Sequence, residues 1–256
     1  LLPLTSVFAK ELLPINGKPG LEYILDECIE AGIKEVIFII SKKKMMIKKY
    51  FYNDKFYKDI IKKKGDPKII KEYKKILKYK KMIKFVFQDK PLGTGDAVYK
   101  TKKFITDKYF LMLLPDDLII KKNCSKSMIA VHKKFKTSVM ASMKVNKNDV
   151  SRWGIYNIKK KIDKNNFIIN NVVEKPSITA SPSNNAVIGR YILPKTIFSK
   201  LKSLKPGKSG EFHITDAIQA LIDDNNQFIG HNFSGKYLDC GTMKGYIKST
   251  LEISKQ

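Results

Sequence analysis

Apolar residues recur at helical spacing after Pro19, at Leu21, Ile24, Leu25, Cys28 and Ile29, until Gly32 supplies a stop. Proline suits a first helical position, where the N–H it lacks would be unpaired anyway. The spacing predicts a helix over about 19–31. Glu35-Val36-Ile37-Phe38-Ile39-Ile40 follows at once, a continuous β-branched and aromatic run of the kind that marks a strand covered on both faces. Helix, glycine and strand in that order make half of a parallel βαβ unit. The same reading predicts strands at 83–88, 109–114 and 138–145, with helices near 95–104 and 126–136. The first half of the chain is therefore α/β.

The rhythm then changes. Short strand-like runs at 153–158, 166–174 and 186–193 are followed by helices near 194–204 and 215–224 and, after Phe228 to Phe233, by a last helix over about 242–254. Residues 42–82 are rich in lysine, with scattered Tyr, Phe and Ile and one turn signal at Gly65-Asp66-Pro67. They read as a solvated, mostly helical insertion. No Ser/Gly-rich linker or internal repeat divides the chain, so one composite domain over 1–256 is expected rather than two independent ones.

Composition narrows the function classes. With 256 residues, 43% apolar and 29% charged, the chain can bury a sizeable core, which excludes disordered and fibrous classes. Its longest apolar runs, 36–40 and 109–114, fall far short of the roughly 20 residues of a membrane-spanning helix, so no membrane partner is expected. The opening Leu1-Leu2-Pro3-Leu4 lacks the basic flank of a signal peptide, which points to a cytoplasmic location. Cys28, Cys124 and Cys240 are odd in number and form no CxxC pair, so reduced, buried thiols are expected. The formal charge of +26 would ordinarily suggest nucleic acid. However, only Arg152 and Arg190 among the 50 basic residues are arginine, the side chain that reads guanine bidentately. Lysine here travels with isoleucine and asparagine as a compositional bias, and no nucleic-acid partner is expected.

Candidate chemistry gathers at strand ends, where open parallel sheets bind ligands. The apolar run 109–114 ends in Pro115-Asp116-Asp117, whose carboxylates could hold Mg²⁺ or simply make a turn. Gln88 to Asp96 contains Gly93-Thr94-Gly95 between a strand and a helix. Its glycines would let backbone approach a ligand, or make an ordinary strand-helix turn. Val173-Glu174-Lys175-Pro176 sets an acid beside a base at another strand end, able to meet sugar hydroxyls and a phosphate, or to pair with each other at the surface. Asp239, in Tyr237-Leu238-Asp239-Cys240-Gly241, could be a second metal ligand or an N-cap. His132, His213 and His231 show neither HExxH spacing nor a partnering Ser or Cys motif, Walker lysine spacing is absent, and Trp153 reads as a packing residue.

Six segments fall into order: Lys10-Glu11-Leu12-Leu13-Pro14, Gly17-Lys18-Pro19, Leu113 to Asp117, Val173 to Pro176, Gly189-Arg190-Tyr191 and Gly210 to Asp216. In order and spacing the chain resembles the bacterial UTP:glucose-1-phosphate uridylyltransferases from residue 1 to about 250. The resemblance implies a Rossmann-like, mixed, mostly parallel sheet flanked by helices, with a nucleotide-binding half over about 1–145 and a sugar-phosphate half over about 146–256. It implies UTP and glucose 1-phosphate as substrates, Mg²⁺ as cofactor and a homo-oligomeric assembly. By the same resemblance, Lys10 is the cation near the triphosphate, and Glu11, Gln88 and Gly93 are nucleotide contacts. Asp116 and Asp239 become the magnesium ligands, and Gly154, Glu174, Lys175 and Gly189 the sugar-phosphate side. Lys10, Asp116 and Lys175 would carry the catalysis. In the family a Gly-rich GxGTR loop and the strand leading into it come just before the segment corresponding to Leu1, and neither is in these 256 residues. Asp96 stands where many relatives have histidine. A sister enzyme using dTTP and a non-catalytic sugar-nucleotide-binding protein remain alternatives, and Glu11 favours uridylyl transfer, since thymidylyl relatives more often have glutamine there.

Overall fold

The computed structural model describes residues 1–207 and 210–255. A small hairpin of β1 (Pro14–Ile15) and β2 (Lys18–Pro19) opens the ordered core. It turns at Asn16-Gly17, both with positive φ, the conformation for which Asn-Gly is the favoured pair. Helix α1 (Gly20–Glu30) buries the predicted stripe Leu21, Ile24, Leu25 and Cys28, with Pro19 as its N-cap rather than its first residue. Strand β3 (Val36–Ile40) runs parallel to β4 (Ile83–Phe87), with Val36 opposite Ile83.

Between them the lysine-rich insertion folds as α2 (Met45–Tyr52), α3 (Asp54–Lys64) and α4 (Pro67–Met82). It has a buried face that its composition conceals. Tyr73, Ile76, Tyr79 and Met82 of α4 follow one another at three-residue steps, and two of them are tyrosines with polar business to settle. Tyr79 donates to Asp26 at 2.6 Å, and Lys75 reaches Glu22 at 2.6 Å, so α1 anchors the insertion through hydrogen bonds to ionised acceptors.

After α5 (Thr94–Tyr99) come β5 (Tyr109–Leu113), β6 (Asp117–Ile120), α6 (Cys124–Phe135) and β7 (Ser138–Lys144). The second half adds β8 (Gly154–Lys161), β9 (Asn166–Glu174), β10 (Asn185–Pro194), α7 (Ile197–Ser203) and α8 (Ile214–Asp223). The chain closes with β11 (Phe228–Asn232), β12 (Lys236–Asp239) and α9 (Met243–Ile253). Six strands form one sheet in the order β5-β10-β7-β11-β9-β8, and β6 pairs separately with β12. The architecture is mixed α/β, but within this sheet only β7 and β11 are parallel neighbours, in place of the mostly parallel sheet that the resemblance implies. For β8 and β9 a short connection is the reason. The Asp163 carboxylate accepts from the N–H groups of Asn165 and Asn166, each at 2.9 Å, turning β8 straight back into β9, and so tight a link permits only antiparallel pairing.

Strand β3 pairs only with β4 and β5 only with β10 among the described residues. Their remaining edges line one cavity of about 1000 Å³, together with residues of α1 and α5. The three cysteines are buried and unpaired; burial pushes the Cys240 thiol up to about 11 and that of Cys28 up to about 12, so both are inert. Among the described residues, no helix is long and apolar enough to cross a membrane.

At the seam between α1, α6 and β10 lies an ion pair that the apolar pattern does not announce. The guanidinium of Arg190, fully buried, meets the Glu27 carboxylate at 2.8 Å, and Glu27 also accepts from the N–H of Ser125 at 3.1 Å. Removing one partner of such a pair strands the other charge in the interior. Glu27→Ala should therefore cost about 3–5 kcal/mol of stability, read as a lowered urea midpoint at unchanged m-value.

Candidate active site

Proline 115 ends β5, and the next two residues divide the chemistry between them. Asp116 is half-buried and open to the site. Its Oδ2 accepts from Lys10 Nζ at 2.7 Å, and its backbone carbonyl is held by the N–H of Cys240 at 2.8 Å. Burial by itself would lower the pKa of Lys10, but the bond to Asp116 and the charges of Asp116, Glu11 and Asp117 outweigh it. The ammonium is held above its ordinary range and stays charged throughout the neutral region. Asp117 turns inward instead. Its Oδ2 accepts from Gly189 N at 2.8 Å and its Oδ1 from the Tyr237 hydroxyl at 2.6 Å. Burial raises its pKa, and those two bonds offset part of the rise. The doublet thus leaves one carboxylate partly exposed beside Lys10 and gives the other to the scaffold.

Asp239 ends β12 directly opposite Asp117. A side-chain carbon on Gly241 would stand 3.2 Å from Asp116 Oδ2 and 3.2 Å from Asp239 Oδ1, so the carboxylates of Asp116 and Asp239 flank one point. Asp239 also shapes its own turn, accepting from Gly241 N at 2.8 Å and from the Thr242 hydroxyl at 3.3 Å. Thr242, rather than Asp239, caps α9. No cluster of three or more acidic, histidine or cysteine side chains that could hold a metal occurs among the described residues. Two carboxylates suit a hard divalent ion that completes its shell with water and phosphate oxygens.

Glu11 and Gln88 line the same large cavity. Lys44, from the turn after β3, bonds Glu11 Oε1 at 2.6 Å, while Glu11 Oε2 is buried without a partner among the described residues. The Gln88 amide donates to the Gly93 carbonyl at 3.0 Å and to Asp96 Oδ2 at 2.8 Å. The glycines here answer to another part of the chain. Phe212 donates its N–H to Leu92 O at 2.8 Å, and Gly95 donates to Phe212 O at 2.7 Å, so the segment entering α8 is laced to the loop. A side-chain carbon at Gly93 would lie 2.6 Å from Phe212 O, and φ there is +95°. The close approach that glycine permits is therefore to Phe212.

At the far end of β9, Gly154 stands opposite Glu174 in the β8–β9 register, and a side-chain carbon on it would meet Glu174 Oε2 at 3.0 Å. Glu174 and Lys175 are exposed and lie 3.8 Å apart. Lys175 has φ +46°, an uncommon backbone for a lysine. Gly189 lies elsewhere: its N–H serves Asp117 and its carbonyl accepts from Leu114 N at 2.8 Å, so both its backbone groups are occupied in holding the Asp116 turn. The end of β9 and the Asp116 turn are linked through Trp153, whose carbonyl accepts from Lys175 N at 2.9 Å and whose ring meets Tyr237 edge-on at 5.5 Å.

Sequence reasoning misses Lys44, Tyr237 and the distinct duty of Asp117. Nothing local marks a lysine among 48 or a tyrosine one strand away. Gly93→Ala tests the loop: a side chain at positive φ against a fixed carbonyl should cost about 1–3 kcal/mol, visible as a lowered midpoint in thermal unfolding.

Over its whole length the chain is similar to known proteins. The family model described as Nucleotidyl transferase matches residues 1–256. A protein of Staphylococcus saprophyticus named UTP–glucose-1-phosphate uridylyltransferase 2 is 33% identical over 254 residues, a match covering 99% of this chain and 87% of that one. The UTP–glucose-1-phosphate uridylyltransferase of Bacillus subtilis is 32% identical over 256 residues, covering 100% and 87%. Among solved structures, a UDP-glucose pyrophosphorylase complexed with UDP-glucose superposes with TM-score 0.86 at 32% identity, over 100% of this chain and 94% of that one. With the whole chain matched and the acidic turn in place, this protein belongs to the nucleotidyl transferase family.

Proposed function

We propose that this chain transfers a uridylyl group from UTP to glucose 1-phosphate, giving UDP-glucose and pyrophosphate. The observation that carries the reading is the cluster of Lys10, Asp116 and Asp239 at the end of β5, one cation and two carboxylates converging where a triphosphate would enter. It is joined by full-length similarity to uridylyltransferases. A phosphate oxygen of glucose 1-phosphate attacks the α-phosphorus of UTP in line, the bond from that phosphorus to the bridging oxygen breaks, and pyrophosphate leaves. No protein nucleophile is needed.

The protein's task is to hold two polyanions together. Asp116 and Asp239 would hold a divalent ion, Mg²⁺ by the chemistry of an all-oxygen donor set, which when bound supplies positive charge to the triphosphate. Lys10, held protonated beside Asp116, would add positive charge toward the same triphosphate. Glu174 takes the sugar hydroxyls and Lys175 the sugar phosphate; the positive φ of Lys175 supports this, because uncommon backbone conformations gather at binding sites. The net charge of +26 draws both anions toward the cleft, over a range of about 8 Å at physiological salt. On this reading residues 1–256 form a single domain, with the nucleotide half up to about 145, and the protein works as a cytoplasmic homo-oligomer.

Two measurements test the assignment. Asp116→Ala and Asp239→Ala should each lower kcat by about 10²-fold or more while leaving thermal unfolding near wild type; near-native turnover of Asp116→Ala would remove it from the site. Glu174→Gln and Lys175→Ala should differ in kind. The first relaxes discrimination among hexose 1-phosphates. The second weakens all of them by about 1.5–3 kcal/mol, and identical substrate profiles would contradict this division.

A further inference from the structure

A glutamine amide has two unlike ends, and which end faces a ligand decides what the ligand must offer. In Gln88 the choice is made by its neighbours. Its nitrogen lies 3.0 Å from the Gly93 carbonyl and 2.8 Å from Asp96 Oδ2, and both of these are acceptors only, so the end facing them must be the NH₂ group. Both of its hydrogens are thereby used. The amide oxygen makes no hydrogen bond with any described residue, and Gln88 lines the large cavity beside Glu11. Reversing the amide would aim its oxygen at two acceptors, one of them charged.

Asp96 is itself well placed for this duty. It sits in the first turn of α5, where a carboxylate is favoured by the unpaired N–H groups of the helix start. Its two oxygens are divided: Oδ2 faces Gln88 and Oδ1 faces Lys100, 3.7 Å away. The side chain is 17% exposed, so little water competes for the Gln88 bond.

We infer that Asp96 is a specificity-determining residue acting through Gln88: by taking the NH₂ end it leaves only an acceptor for the nucleobase. That acceptor suits a pyrimidine carrying a ring N–H at position 3, as uracil and thymine do. Cytosine presents a lone pair there, oxygen would face nitrogen without a proton between them, and a base tethered through its ribose and triphosphate is not free to slide to another register. Asp96 therefore selects against CTP without touching the base. This rests on Gln88 reading the base in the function proposed above.

Turnover and equilibrium binding of UTP and CTP in wild type, Asp96→Ala, Asp96→Asn and Gln88→Met separate the two claims. Asp96→Ala should narrow the preference for UTP about tenfold, the weight of roughly one hydrogen bond, and chiefly through KM. Asp96→Asn should stay near wild type, because its amide oxygen can still accept from Gln88. Gln88→Met should narrow the preference at least as far as Asp96→Ala. An unchanged preference in Asp96→Ala beside a collapsed one in Gln88→Met would overturn the role of Asp96. An unchanged preference in Gln88→Met would overturn base reading by Gln88, and this proposal with it. Should Asp96→Ala not fold, the wild type still answers. Both side-chain amide protons of Gln88, identified by their absence in Gln88→Met, should exchange with solvent more slowly than those of free glutamine, and unprotected exchange would overturn the anchoring.

Discussion

The buried guanidinium of Arg190 is the constraint around which the site is built. Besides Glu27, it donates to the carbonyls of Leu114 at 3.0 Å, Gly189 at 3.2 Å and Asp117 at 2.6 Å. Leu114 and Asp117 bracket Pro115 and Asp116, so one side chain grips the acidic turn on both sides of the partly exposed Asp116 carboxylate. Burying such a charge is tolerable only if every donor finds a partner, and here the carboxylate of Glu27 and three carbonyls provide them. Glu27 in turn takes the N–H and the hydroxyl of Ser125, in the first turn of α6. Three elements distant in sequence thus meet on one ion pair.

Asp117 and Gly189 complete that arrangement. The carboxylate locks the glycine's N–H, and a side-chain carbon on Gly189 would lie 2.5 Å from Asp117 Oδ2 and 2.6 Å from Leu114 Cβ. Glycine is required because strand and turn approach so closely. Tyr237 closes the other side of Asp117 and leans on Trp153, so the acidic turn and the end of β9 share a continuous support. At the Gly93 loop Phe212 plays a comparable part, its backbone stitched to the loop from the second half of the chain.

The lysine-rich insertion is more than solvated surface. Its α4 docks on α1 through Tyr79 with Asp26 and Lys75 with Glu22, and the turn ahead of α2 sends Lys44 to Glu11. A segment whose charge pattern suggests independence is therefore tied both to the core and to a residue of the candidate nucleotide site.

Much of the secondary structure was legible in the chain because burial imposes periods that survive in the order of residues. The stripe of α1, the β-branched run of β3 and the apolar runs of β5 and β7 needed no partner to be recognised, and the carboxylate doublet at Asp116 and Asp117 stood out because it follows a strand end. The sequence could not reveal pairing that depends on distant neighbours. Strands β6 and β12 are four residues each and carry meaning only against each other, and strand direction in the large sheet is set by pairings as distant in the chain as β5 with β10, which apolar patterns do not encode. Equally hidden was the division of labour at single atoms: Asp116 outward and Asp117 inward, the glycines of the Gly93 loop serving Phe212, Gly189 spent on Asp117, and the amide of Gln88 turned by Asp96. Residue type limits what a side chain can donate or accept, whereas only the packed structure decides which partner is within about 3 Å to take it.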